Sequence, residues 1–164
     1  MEKPTNFVPV PAPERDTLNT PYWDSLARGA LTFQRCISCG HPWLPPRSDC
    51  PGCLSSDCVW ESAAGGAKLI SWVVYHVAFH PAFANRLPYN VAVVELDEGP
   101  RLISNVVGVA DAETLKIDQR LRLVIEDEGG TAIPRFAPAE MSKVQLSETE
   151  RFRQAAATAG IKPQ

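Results

Sequence analysis

Cys36-Ile37-Ser38-Cys39 and Cys50-Pro51-Gly52-Cys53 are two CxxC pairs with ten residues between them, and this stretch decides how the rest of the chain is read. A CxxC turn lets two thiolates converge on one ion. Two such turns supply the four sulfurs of a tetrahedral zinc site at about 2.3 Å. The intervening His41-Pro42-Trp43-Leu44-Pro45-Pro46-Arg47-Ser48-Asp49 holds too much proline for a helix and suits a short hairpin that swings the second pair onto the first. Gly40 and Gly52 sit just after and inside the turns, where positive φ is expected.

Three other readings compete with zinc. Disulfides need an oxidising compartment; no hydrophobic signal segment precedes the cysteines, so a reducing compartment is expected. Ordinary core burial would rarely place two CxxC pairs within 18 residues. Iron shares ligands and geometry, so the spacing leaves zinc and iron open. Cys58 lies outside the pair of pairs and reads as a small packed hydrophobe. His41 could replace a thiolate, but four cysteines already fill a closed site.

At 164 residues the chain can bury one core and carry a metal-clipped satellite. The formal charge is −3. Residues 63–140 carry seven Lys/Arg against ten Asp/Glu, or −3, and residues 141–164 carry four against two, or +2. The main body is therefore acidic and offers no general attraction to polyanions. No run reaches the length of a transmembrane helix, so a cytoplasmic protein without membrane contact is expected.

The remaining pattern is mainly β. Residues 1–33 form a proline-spotted arm and a short helix, with Thr20 as cap, Pro21 at the first helical position and Gly29 as the stop. Residues 34–62 form the ribbon, entered along Leu31–Arg35 and closed at Val59–Glu61. Residues 63–140 carry strand runs at Lys68–Phe79, Val91–Leu96, Leu102–Val109, Arg120–Glu126 and Ala132–Pro138, the spacing of a small barrel. In the first run Ile70, Trp72 and Val74 share one face and Leu69, Val73, Tyr75, Val77 and Phe79 the other, so both faces need cover. Residues 141–164 form a helical tail that opens on the capping box Ser147-Glu148-Thr149-Glu150.

A Trp-bearing helix, a CxxC…CxxC ribbon enclosing Pro45-Pro46-Arg47, and a β region with Pro88-Tyr89, Val94-Glu95-Leu96-Asp97-Glu98-Gly99-Pro100-Arg101 and Pro134-Arg135-Phe136 come in this order. The constellation, over roughly residues 20–140, resembles the acyl-CoA-associated OB-fold family with an N-terminal rubredoxin-like zinc ribbon. The resemblance implies a helix and zinc ribbon followed by a small OB-fold barrel. It also implies a non-catalytic subunit that completes a CoA-thioester site or channel in a hetero-oligomer with a thiolase-like acyltransferase or aldolase. Zinc is then structural, acyl-CoA is the ligand of the complex, and the partner supplies the chemistry.

The residues contain no GxSxG elbow, HExxH or phosphate-binding glycine loop. Tyr75, His76, Phe79, His80 and Phe83 cluster in sequence and are the candidates for a ligand passage; the plain alternative is a strand end whose histidines bond locally. Asp97-Glu98 beside Gly99-Pro100 reads as a turn rather than paired acids. Asn105 interrupts an apolar strand and needs a partner, backbone or ligand. The rival function is a single-stranded nucleic-acid module, since zinc ribbons and OB barrels both serve there; Tyr75, Phe79 and Phe83 could stack bases, but the acidic body lacks the basic groove.

Overall fold

The computed structural model describes residues 8–140, so the expected C-terminal helix lies outside the described residues. Helix α1 spans Thr20–Ala27 with Pro21 in its first turn. Its cap is one residue earlier than expected: Asn19 precedes the helix, and it and Asp16 hold each other through reciprocal backbone N–H to side-chain Oδ1 bonds of 3.0 and 2.7 Å. Gly29, at φ +85°, ends the helix as expected. Leu26 is fully buried, and Tyr22 and Trp23 pack against the main core; burial pushes the Tyr22 hydroxyl up to about 12.

The ribbon is a three-stranded antiparallel sheet in the order β2-β1-β3, with β1 at Thr32–Cys36, β2 at Pro42–Trp43 and β3 at Cys58–Ser62. Gln34, buried in β1, replaces a missing ladder partner for the proline hairpin: its Oε1 accepts from Arg47 N–H at 2.8 Å and its Nε2 donates to Arg47 C=O at 3.0 Å.

The second sheet is antiparallel, in the order β6-β5-β4-β7-β8. Its strands are β4 (Gly66–Tyr75), β5 (Tyr89–Leu96), β6 (Arg101–Ser104), β7 (Arg120–Glu128) and β8 (Thr131–Pro138). The chain leaves β6 at one edge and re-enters beside β4, a Greek-key crossing. Val106, just past β6, then bridges Phe136 of β8 in parallel, and Ser104 Oγ donates to Pro134 C=O at 2.7 Å. The sheet therefore curls back on itself as a five-stranded OB-like barrel. Its core holds Ala67, Leu69, Ala92, Val94, Leu96, Leu121 and Phe136, with Leu26 of α1 among them.

The first barrel strand departs from the sequence reading in two ways. It ends at Tyr75, not Phe79, because the chain turns into a 3-10 segment at Pro81–Arg86. A register shift between Leu69 and Ser71 also breaks the period-two alternation. Leu69 is fully buried, Trp72 packs on the core, and Val73 is 56% exposed, so Leu69 and Val73, expected on one face, stand on opposite ones.

Candidate functional site

Strand β1 delivers Cys36 and the start of β3 carries Cys58 directly across from it. Beyond β1 the chain makes the first turn, where Gly40 N–H donates to Cys36 C=O at 3.0 Å; after the hairpin, Leu54 N–H donates to Cys50 C=O at 2.9 Å. The two turns are equivalent, and the residue after the second cysteine is left-handed in both: Gly40 at φ +76° and Leu54 at φ +64°. The expectation of positive φ therefore holds for Gly40 but moves from Gly52 to Leu54. At Gly52 a Cβ would make only ordinary contact, 3.4 Å from His41 Cγ and 3.6 Å from Cys50 Sγ.

The Sγ atoms of Cys36, Cys39, Cys50 and Cys53 all lie within 4.8 Å of one another. Cys36–Cys53 and Cys39–Cys50 are 3.5 and 3.6 Å apart, far beyond a disulfide bond and close to the edge of about 3.8 Å that four Zn–S bonds of 2.3 Å define. The all-sulfur donor set fits a closed structural zinc site. The thiols oppose one another's ionisation. Burial resists a charge on Cys36, yet the backbone N–H of Cys39 and the Cys53 thiol draw it down to about 6. Cys53 gains from the Ser55 backbone N–H but is pushed up to about 12 by the Cys39 and Cys36 sulfurs. A divalent cation removes that conflict by binding all four as thiolates. Cys58 stays outside the set, packed against the cluster and accepting from Gln34 Nε2 at 3.3 Å, and His41 stays outside it as well.

At the far end of the β4–β5 ladder the expected passage residues divide. Tyr75 stacks on Tyr89 at 5.3 Å, with Phe79 edge-on to Tyr75 at 5.8 Å and Phe83 tilted on Tyr89 at 5.9 Å. His80 joins this group edge-on to Phe83, while its Nδ1 accepts from Ala82 N–H at 3.1 Å to cap the 3-10 segment. His80 thus does bond locally. His76 lines a cleft of about 130 Å³ with Val74, Pro88, Asn90, Asp111 and Glu113, and Tyr89 of the aromatic group lines the same cleft. Tyr89 is the member that sequence reasoning missed. It lies across a loop of 13 residues, and only the register Tyr75↔Tyr89 brings it in; the quoted Pro88-Tyr89 was the available signal. Arg86 sits 5.3 Å from the Phe83 ring and pairs with Glu128, which also holds Arg135, so the loop is tied to the barrel seam. Asn105 finds local partners there, donating to Asn90 C=O and accepting from Arg135.

Two family models match along the chain: the ChsH2 rubredoxin-like zinc ribbon domain at residues 23–58 and the ChsH2 C-terminal OB-fold domain at residues 60–126. A DUF35 domain-containing scaffold protein of Methanothermobacter thermautotrophicus is 31% identical over 103 residues, 60% of this chain and 76% of that protein. The chain belongs to the ChsH2/DUF35 family. A probable enoyl-CoA hydratase alpha subunit of Thermomonospora curvata is 38% identical over 141 residues, 84% of this chain. The chain spans 42% of the length of that relative. Among solved structures, a chain of the Ltp2-ChsH2(DUF35) aldolase superposes with a TM-score of 0.70 at 35% identity, covering 78% of this chain and 99% of that one. A DUF35-family protein of Sulfolobus solfataricus, at 13% identity and a TM-score of 0.54, shares the fold. Family membership places the zinc ribbon and the OB barrel together in one chain and supports structural zinc on the four-cysteine cluster.

Proposed function

We propose that this chain is a non-catalytic zinc-ribbon/OB-fold subunit that completes a CoA-thioester site or channel in a hetero-oligomer with a thiolase-like aldolase or acyltransferase. The observation that carries the proposal is the likeness, at 35% identity, to nearly the whole of the ChsH2 chain in the Ltp2-ChsH2 aldolase. The zinc of Cys36, Cys39, Cys50 and Cys53 is structural, since four sulfurs leave no open position for substrate. Tyr75, Phe79, His80 and Phe83, with Tyr89, form the wall presented to the thioester or to the partner, and His76 lines the adjoining cleft. The cytoplasm is the fitting compartment because it keeps thiolates reduced.

The charge pattern argues against the nucleic-acid alternative. Lys68 and Arg101 both pair with Glu95, Arg120 with Asp97, and Arg86 and Arg135 with Glu128. Basic groups neutralised in this way build no phosphate-tracking groove.

Phe79 tests the reading. It is 81% exposed, so Phe79→Asp leaves the core intact. The variant should keep its zinc and its melting point yet lose assembly with the partner or thioester turnover. Full assembly and full turnover in this variant would count against the aromatic wall.

A further inference from the structure

Four of the five cysteines converge on the zinc site, and Cys58 is the thiol left over. It stands directly across the β1–β3 ladder from the zinc ligand Cys36. The flanking hydrogen bonds fix what kind of pair this is. Ala63 N–H donates to Leu31 C=O at 2.8 Å and Ile37 N–H to Asp57 C=O at 3.0 Å. Positions 31 and 37 are therefore hydrogen-bonded to the opposite strand, and alternation makes Cys36↔Cys58 a non-hydrogen-bonded pair. The Cys36 N–H points the other way, to His41 C=O at 2.9 Å. Residues opposed in this manner share a face of the sheet and hold their Cα atoms about 4.5 Å apart, inside the range of about 4.4–6.8 Å that a disulfide spans.

The packing agrees with the register. Cys58 lies against the cluster of Cys36, Trp43 and Cys50. Gln34, two residues before Cys36 on the same face of β1, donates from Nε2 to Cys58 Sγ at 3.3 Å while the same amide clamps Arg47. Cys58 is partly exposed, whereas Cys36 is buried.

We infer that Cys36 and Cys58 form a peroxide-sensitive switch, in which oxidation joins them in a cross-strand disulfide, takes one ligand from the zinc and opens the ribbon. The inference rests on zinc at the four-cysteine cluster and is independent of the accessory-subunit reading. Hydrogen peroxide is the oxidant. Cys58, the one thiol not committed to the ion, gives two electrons to the peroxide; the O–O bond breaks, Cys58 becomes the sulfenic acid and water leaves. The Cys36 thiolate then attacks Cys58 Sγ, so that the S–S bond forms, the S–OH bond breaks and hydroxide leaves. Three sulfurs remain where a closed site needs four, and the fold that depended on the metal is released with it. A thiol reductant reverses the disulfide and returns the fourth ligand.

The test treats the zinc-loaded full chain with hydrogen peroxide, follows zinc release with a chromophoric chelator and maps disulfides by peptide mass spectrometry. Wild type should release one zinc for each Cys36–Cys58 disulfide formed, and dithiothreitol with added zinc should restore the metal. Cys58→Ser and Cys58→Ala remove no zinc ligand, so both should keep their zinc and slow its release at least tenfold. Val59→Ala, next to Cys58 and 43% exposed, should release zinc within twofold of the wild-type rate. Release from both Cys58 variants at the wild-type rate would mean that the ligands, led by the exposed Cys39 and Cys53, oxidise one another, and would overturn the inference. Wild-type protein that keeps its zinc while Cys58 is oxidised would overturn it as well. A wild-type chain that binds no zinc would overturn the metal site and the switch together.

Discussion

Removing the metal from this chain should unfold the ribbon and spare the barrel. The buried side chains of the ribbon's own cluster are Cys36, Trp43 and Cys50, and two of the three are metal ligands. Burying Trp43 contributes about 3 kcal/mol. Ordering the backbone of residues 36–58 costs about 1 kcal/mol per residue, on the order of 20 kcal/mol in all. The difference is close to the apparent 10–16 kcal/mol that structural zinc supplies to small zinc domains. Hydrogen exchange before and after chelation measures this directly. The Gly40 and Leu54 amides, which close the two turns, should lose their protection, whereas Ala92 and Val94 in the barrel core should keep theirs. Cys39→Ala should behave as the chelated protein does, and Cys58→Ala should retain one zinc per chain. Continued protection of Gly40 and Leu54 after complete metal removal would refute the reasoning.

Other expectations concern the barrel. Asn90 is buried and mimics a strand partner, its Oδ1 accepting from Val106 N–H at 2.7 Å and its Nδ2 donating to Val106 C=O at 2.8 Å; Asn90→Ala orphans both groups and should cost about 2–4 kcal/mol in urea unfolding. A Cβ on Gly66 would fall 2.1 Å from Asp97 Oδ2, so Gly66→Ala should break the Asp97–Arg120 fork and cost about 1–2 kcal/mol, with less than additive loss in an Asp97→Ala background. Arg120 donates two 2.8 Å hydrogen bonds to Asp97 and holds its carboxyl below the ordinary range. That stabilisation is present above the unfolded value near pH 4 and is lost as pH falls through the lower folded value. The melting-point gap between wild type and Asp97→Asn should therefore shrink from pH 6 to pH 3.

The features legible in the sequence were those set by short-range rules. Two CxxC pairs dictate converging thiolates at any plausible loop path, and the strand runs Val91–Leu96 and Arg120–Glu126 lie within β5 and β7. What escaped depended on contacts across the fold. The register shift after Leu69 leaves no mark in a run that is apolar on both faces, so the period-two pattern puts Val73 on the side opposite to the one it occupies. Leu54 adopts the left-handed conformation that Gly52 was expected to need because the metal turn fixes the backbone there whatever the residue. His76 and Phe79 look like neighbours in sequence, but past the end of β4 at Tyr75 Phe79 packs edge-on to Tyr75 while His76 lines the cleft beside Tyr89. Tyr89 could join the aromatic group only once the β4–β5 register was known.

In the proposed function this chain completes an acyl-CoA enzyme without performing the chemistry. The most direct test is acyl-CoA turnover measured for the highly purified chain, for an Ltp2-type partner subunit, and for the two combined at equal concentration. The expected result is no turnover by the chain alone and strong turnover only in the mixture, lost together with the complex on gel filtration. Turnover by the chain alone, at a rate the partner does not raise, would contradict it.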